Sequence, residues 1–137
     1  MTSLEILAFL DAHTLCVLST ADEKGKPEAA VVGFSVHDDF QMIVATSSET
    51  RKLANVIANP QVAVVVWDGS QTLQLEGNAH VLEGKEIAEW QPKHFAKRQG
   101  SQKYKDDPNE RYILIEPTWL RFTDASRHPW HIDDLTF

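Results

Sequence analysis

The sequence predicts a mainly β domain (α+β): a six-stranded antiparallel split β-barrel with short flanking helices. Three observations lead there. Six stretches rich in Val, Leu, Ile, Thr and Phe are joined mostly by short turns. Few of these stretches are separated by helical segments, as a parallel α/β sheet would require. The chain has 137 residues, 42% of them hydrophobic, which suits one domain, 1–137, with a real core and excludes a disordered or fibrous chain. Six strands with short turns favour a small closed or split barrel.

The elements follow in the order α-βββ-α-ββ-α-β. Residues 4–12 place Leu4, Leu7 and Ala8 on one side, with Thr2 or Ser3 as cap and Glu5 in the first turn, so a short helix is expected. Residues 14–20 (TLCVLST), 27–36 (PEAAVVGFSV) and 40–46 (FQMIVAT) read as three strands of a meander, turning at ADEKGK and at His37-Asp38-Asp39. In residues 49–59, Leu53, Val56 and Ile57 have helical spacing, Thr46 with Glu49 fits a capping box, and Pro60 ends the helix. Residues 62–67 (VAVVVW) read as a buried strand, and Asp68-Gly69-Ser70 as a hairpin turn. Leu73, Leu75, Gly77, Ala79 and Val81 alternate with Thr72, Gln74, Glu76, Asn78 and His80, giving a strand with one dry and one wet face. A helix over 83–97, with a break expected at Pro92, is followed by a loop over 99–109. The sixth strand covers 111–123 with a bulge or edge position at Pro117. The apolar Trp130, Ile132, Leu135 and Phe137 of the tail suggest docking, on this chain or a neighbour.

Charge narrows the partners. Lys and Arg total 13 against 20 Asp and Glu, a net charge of −7. No nucleic acid and no anionic membrane surface is expected as a partner, because the basic footprint is missing. A small anion held by a few focused cations fits. No apolar run approaches the ~18 residues of a membrane span. The acidic start, MTSLEILAFLDAH, does not read as a signal peptide. The single cysteine, Cys16, lies in an apolar run and reads as a buried, inert thiol. A reducing cytoplasm is the expected setting.

The stretch that carries chemistry is Thr46-Ser47-Ser48-Glu49-Thr50-Arg51-Lys52, at a strand-to-helix junction. Free N–H groups at a helix start suit a phosphate. Hydroxyls add neutral donors, Arg51 can grip two phosphate oxygens, and Lys52 adds a mobile charge. Glu49 opposes this unless it points away. Read alone, the stretch is also an ordinary capped and solvated first turn.

The order and spacing of several motifs then resemble the FMN-binding split-barrel family, related to pyridoxamine 5′-phosphate oxidase. They are VATSSETRKLANVIANPQVAVVVWD, the earlier TLCVLSTADEKGKPEAAVVGFSV with its Gly-x-Pro, and TLQLEGNAHVL with its central glycine. The resemblance covers roughly residues 14–81. It implies that Arg51 and Lys52 hold the FMN phosphate, with Thr46 and Ser47 near the phosphate or ribityl chain. Ala30, Val31, Val32 and Gly33 would pass the flavin ring, mainly with backbone groups, and Val31, Val32 and Gly33 would form an apolar slot. Thr72 aligns with a polar residue that reaches the cofactor. The resemblance also implies a homodimer with the cofactor at the interface, so that Trp130 would approach from the second chain. The redox chemistry would belong to the cofactor.

The chain departs from the namesake enzymes. They carry Arg and Lys where Ala30 and Ser35 align, and their substrate-phosphate cluster is matched only in spacing by His94, Arg98 and Ser101. On residue type alone that trio reads as a solvated helix face and loop. Trp130 has no downstream Arg partner. The reading is therefore an FMN-dependent oxidoreductase of unknown small organic substrate. The alternative is a non-enzymatic flavin- or haem-binding barrel, for which His128 or His131 would supply an axial ligand. His128, His131, Asp133 and Asp134 are also the one loose metal-ligand grouping, but a tail is a poor preorganised site.

Overall fold

Thr2 opens the first helix with a reciprocal cap. Its hydroxyl accepts from the Glu5 backbone N–H at 3.2 Å, and the Glu5 carboxylate accepts from the Thr2 N–H at 3.3 Å. In the computed structural model, which describes Met1–Phe137, the resulting helix α1 (Ser3–Asp11) buries Ile6 and Leu10. The expected meander follows as β1 (Leu15–Ala21), β2 (Pro27–Val36) and β3 (Met42–Ser47). Next come α2 (Arg51–Ala58), β4 (Gln61–Asp68), β5 (Gln71–Val81), α3 (Lys85–Lys97), β6 (Glu110–Asp124) and β7 (His131–Thr136).

The strand order is β3-β2-β1-β4-β5-β6-β7, antiparallel throughout, and a β3–β6 pairing closes six strands into a barrel. The barrel core is apolar: Leu18, Phe34, Met42, Leu73, Leu75, Ile113, Leu120 and Phe122 are all fully buried. The wet face expected for β5 is present, with Gln74, Glu76, Asn78 and His80 exposed between buried neighbours.

The six-stranded barrel stands as expected, and the tail docks on its own chain as a seventh strand. β6 is 15 residues long, and its second half offers an edge on which β7 sits. Arg121 and Asp134 face each other there in a bidentate ion pair of 2.7 and 2.9 Å. Pro92 does not break α3. Ala88, whose carbonyl loses its partner to the missing N–H, is exposed along with Pro92, so solvent is at hand. The 99–109 loop begins with a 3-10 turn, Gln99–Tyr104.

Pro117 does lie at a bulge. Glu76 faces Trp119 while Gly77 faces Pro117, leaving Thr118 as the extra residue. A Cβ at Gly77 would run into the Glu116 carbonyl, so only glycine lets the two backbones approach.

The feature that positions the site is a change of partner. β3 pairs with β2 only over Phe34–Val36, and pairs with β6 along its whole length. Residues 27–33 of β2 pair with β1 alone. Their other backbone edge is open, and this is the split in the barrel.

Candidate functional site

The open edge of β2 stands beside the start of α2. Leu18, Thr20, Glu28, Ala29, Ala30, Thr50, Arg51 and Lys52 line a depression of about 280 Å³ there. Thr50 is the N-cap of α2, and no side chain caps the helix. The first-turn N–H groups therefore lack side-chain acceptors, and the turn contains no acidic residue. The capping box expected from Thr46 and Glu49 does not form, because the helix starts two residues later than expected. Thr46 is buried and its hydroxyl lies 3.1 Å from that of Thr50. Ser47 is exposed, and its carbonyl accepts from the Thr50 hydroxyl at 3.0 Å. Glu49 points to solvent.

The carboxylate that matters is Glu28, which local reading of the sequence missed. It lies 2.9 Å from Arg51 Nε and accepts from Asn55 Nδ2 at 2.6 Å. Asn55 also donates to Thr20 at 3.1 Å. Glu28 thus pre-orients Arg51 and partly neutralises it. Arg51 is 83% exposed, so water screens that ion pair.

The structure brings together Ala30, Arg51 and Lys52, with Thr46 and Ser47 at the end of β3 close by through Thr50. Along β2 the side chains alternate. Val31 and Gly33 face outward, whereas Val32 packs into the barrel core, so its side chain lines no external slot and only its backbone is available. Thr72 is half-buried and pairs with Trp67. Following the pairing across β1 and β4 puts it on the same outer face as Val31 and Gly33. Leu15, Val31 and Trp67 share that face and are 55%, 63% and 51% exposed. Trp130 is exposed on the turn before β7, at the far end of the strand order from β2.

Of His94, Arg98 and Ser101, the first two pack against β2. Arg98 lies flat over Gly33, where a Cβ would come within 2.5 Å of its guanidinium. It donates to the Thr14 carbonyl at 2.9 Å. His94, in place of a solvated position, is fully buried. Its Nδ1 lies 2.7 Å from Ser35 Oγ, which is also 2.7 Å from His37 Nε2. The helix step from His94 to Arg98 matches the strand step from Ser35 to Gly33, so α3 covers the closing half of β2. Burial, then the neighbouring Arg98 and His37, push the His94 imidazole down to about 4. His94 Nε2 is buried without a partner.

Cys16 is fully buried, and burial pushes its thiol up to about 12. No cluster of three or more His, Cys, Asp or Glu side chains is placed to hold an ion, in the tail or elsewhere. His131 lies 2.7 Å from Asp133. No helix is long and apolar enough to cross a membrane.

Comparison with known proteins adds to this geometry. A family model described as pyridoxamine 5′-phosphate oxidase matches residues 3–124. General stress protein 26 of Bacillus subtilis strain 168 is 30% identical over 128 residues, covering 88% of this chain and 87% of that protein. A heme binding protein from Mycobacterium smegmatis superposes with a TM-score of 0.79 at 18% identity, over 99% of this chain and 59% of that one. A pyridoxamine 5′-phosphate oxidase-related, FMN binding protein from Nostoc punctiforme superposes with a TM-score of 0.70 at 11% identity, over 98% and 95%. At these identities the two structural likenesses speak for the fold alone.

Proposed function

From the premise that the chain belongs to the pyridoxamine 5′-phosphate oxidase family, we propose that it binds FMN and works as a homodimeric oxidoreductase on a small organic substrate. The observation that carries this reading is the cationic, uncapped start of α2 beside the open edge of β2. Arg51, Lys52 and the first-turn N–H groups would hold the phosphate. Ser47 would reach the phosphate or ribityl chain, with Thr46 behind it. The unpaired backbone groups along Ala30 to Gly33 would meet the polar rim of the ring. FMN supplies one- and two-electron redox chemistry when bound.

Size and surface support a second copy. The depression of about 280 Å³ is small for a whole cofactor, since sites for ligands of that class run ~300–1,000 Å³. The ring would lie partly outside it, along the face that carries Leu15, Val31 and Trp67. A second copy packed on this face would bury that apolar surface and cover the ring. Thr72 would line the interface, and the partner's Trp130 would approach the cofactor. With one buried cysteine and no membrane-crossing helix, a reducing cytoplasm is the proposed setting.

Substrate choice would differ from that of the namesake oxidase. Ser35, which stands where the resemblance places a lysine, is sealed under α3 between two imidazoles.

The test is the visible spectrum of the purified protein, taken before and after adding FMN and desalting. A retained flavin band with quenched fluorescence is expected. Loss of all flavin on desalting, at every loading concentration, would overturn the reading. The likeness to a heme binding protein favours one second reading, a haem on the same face. Its axial ligand would come from the tail, and a haem band in the same spectrum would establish it.

A further inference from the structure

A second cavity lies at the other end of β2. It has a volume of about 580 Å³ and opens between α1, the β2–β3 turn and α3. Glu28, the partner of Arg51, and Val36, which lines this cavity, are eight residues apart on one strand, about 26 Å. The FMN reading makes no use of it. We propose that this cavity binds a small carboxylate with an apolar body, such as a medium-chain fatty acid.

The apolar part follows from the walls. Leu7 and Ala8 on α1 face Trp90 and Ala96 on α3, with Val36 at the base. The volume suits a small organic ligand.

The charge of the head group follows from what the polar wall can offer. Lys97 and Asp11 both line the cavity and cancel each other in a 2.7 Å pair. Lys93 sits 4.5 Å above the Trp90 ring, and Glu89 reaches it only at 3.9 Å along the solvent side of the helix. Its charge is thus held over the apolar floor and still has room for an anion. Asp38 opposes it from the rim, where it is exposed and screened.

His37 adds a second donor, and the buried network behind it sets its tautomer. Ser35 Oγ has one proton and two imidazole neighbours at 2.7 Å, so it donates to one and accepts from the other. His94 Nε2 has no partner, and an orphaned buried N–H is rarer than an orphaned acceptor. His94 therefore carries its proton on Nδ1 and donates to Ser35. Ser35 donates to His37 Nε2. The neutral His37 ring, which lines the cavity, then carries its proton on Nδ1 as a free donor. Burial, then the nearby Lys97 and Lys93, lower the His37 imidazole, with Asp11 and Asp38 opposing. The cavity thus offers an ammonium and an imidazole N–H above an apolar floor. A carboxylate on an alkyl or aryl body satisfies both halves; an amine brings a like charge, and an alcohol accepts without the opposite charge.

Octanoate, octylamine and octanol share a chain length and differ in head group. Each is titrated into the protein with and without FMN, read by tryptophan fluorescence and by calorimetry. Octanoate is expected to saturate, with the other two weaker by roughly tenfold or more, and Lys93→Met to cost a similar factor. Ala96→Trp and Ala8→Trp fill the cavity from two exposed positions and are expected to abolish binding while the thermal midpoint holds. Equal binding of octylamine or octanol, or unchanged octanoate affinity in the folded tryptophan variants, would overturn the proposal. So would a failure of octanoate to saturate. The FMN-free arm separates this outcome from any failure of the cofactor reading.

Discussion

The two halves of β2 belong to one strand and meet opposite fates. Residues 27–33 pair on one side only, and their free edge lies beside the start of α2. Residues 34–36 pair with β3, Phe34 also reaching back to the Thr14 carbonyl, and are buried, including Ser35. Nothing in PEAAVVG against FSV dictates this difference. It arises because β3 leaves β2 for β6 and because α3 lies over one half. An unpaired strand edge inside a folded domain leaves hydrogen-bonding groups to be satisfied by solvent or a ligand. A paired and covered stretch can instead hold polar side chains in a closed network.

The strongest way to break the comparison is to remove the cations of the open half. Arg51→Ala with Lys52→Ala is expected to weaken FMN binding by roughly a hundredfold or more, each charged hydrogen bond contributing ~1.5–3 kcal/mol. A fluorescence-quenching titration reads this, with Lys85→Ala, exposed at the start of α3, as the unaffected control. Equal affinities would remove α2 from the site.

The closed half answers to pH. His94 has its imidazole near 4 in the folded chain, below the ordinary 6.5, so the unfolded chain takes up that proton first. Its stabilising contribution is complete above about pH 6.5 and is lost as pH falls towards 4, by up to about 3 kcal/mol. Urea unfolding across that window should show a steeper loss for the native chain than for His94→Phe. Parallel curves would show that burial of this imidazole is not felt.

The outer face sharpens the contrast between solvent and interface. Val31→Glu is expected to raise the dissociation constant of the proposed dimer by tenfold or more in sedimentation, because a lone charge would enter the proposed interface. Monomer stability should stay within about 0.5 kcal/mol, since Val31 is exposed in the single chain. An unchanged dimer would place the interface elsewhere.

The smallest effect is expected at Glu28. Glu28→Gln removes the charge that Arg51 shares, and FMN affinity should rise by roughly threefold. A fall in affinity would mean that Glu28 serves chiefly to aim Arg51.

Much of this was legible in local pattern. The alternation of β5 and the Val-rich run of β4 emerged as strands within a residue or two of their observed ends. Leu53 and Val56, set by their spacing on the inner side of α2, are buried, although Ile57 is exposed. The crowding of Arg51 and Lys52 after a strand also stood out in an acidic chain. The resemblance to a family suggested the proposed cofactor, which no periodicity could have named. The trio at 94–101 misled because charge and spacing on a helix say nothing about what packs against it. His94 meets Ser35 across 59 positions.

What the sequence determined by itself is therefore the set of elements, their polarity and the place of the cationic turn. These depend on neighbours three or four positions apart in a helix, or two apart in a strand. The tertiary structure alone decided that β3 changes partner and opens the edge of β2. It also decided that the tail becomes a seventh strand, that Glu28 meets Arg51, and that a serine and two histidines close into one network. Each of these depends on which distant segment supplies the missing hydrogen bonds and covers the surface, and that is settled only when the whole barrel closes.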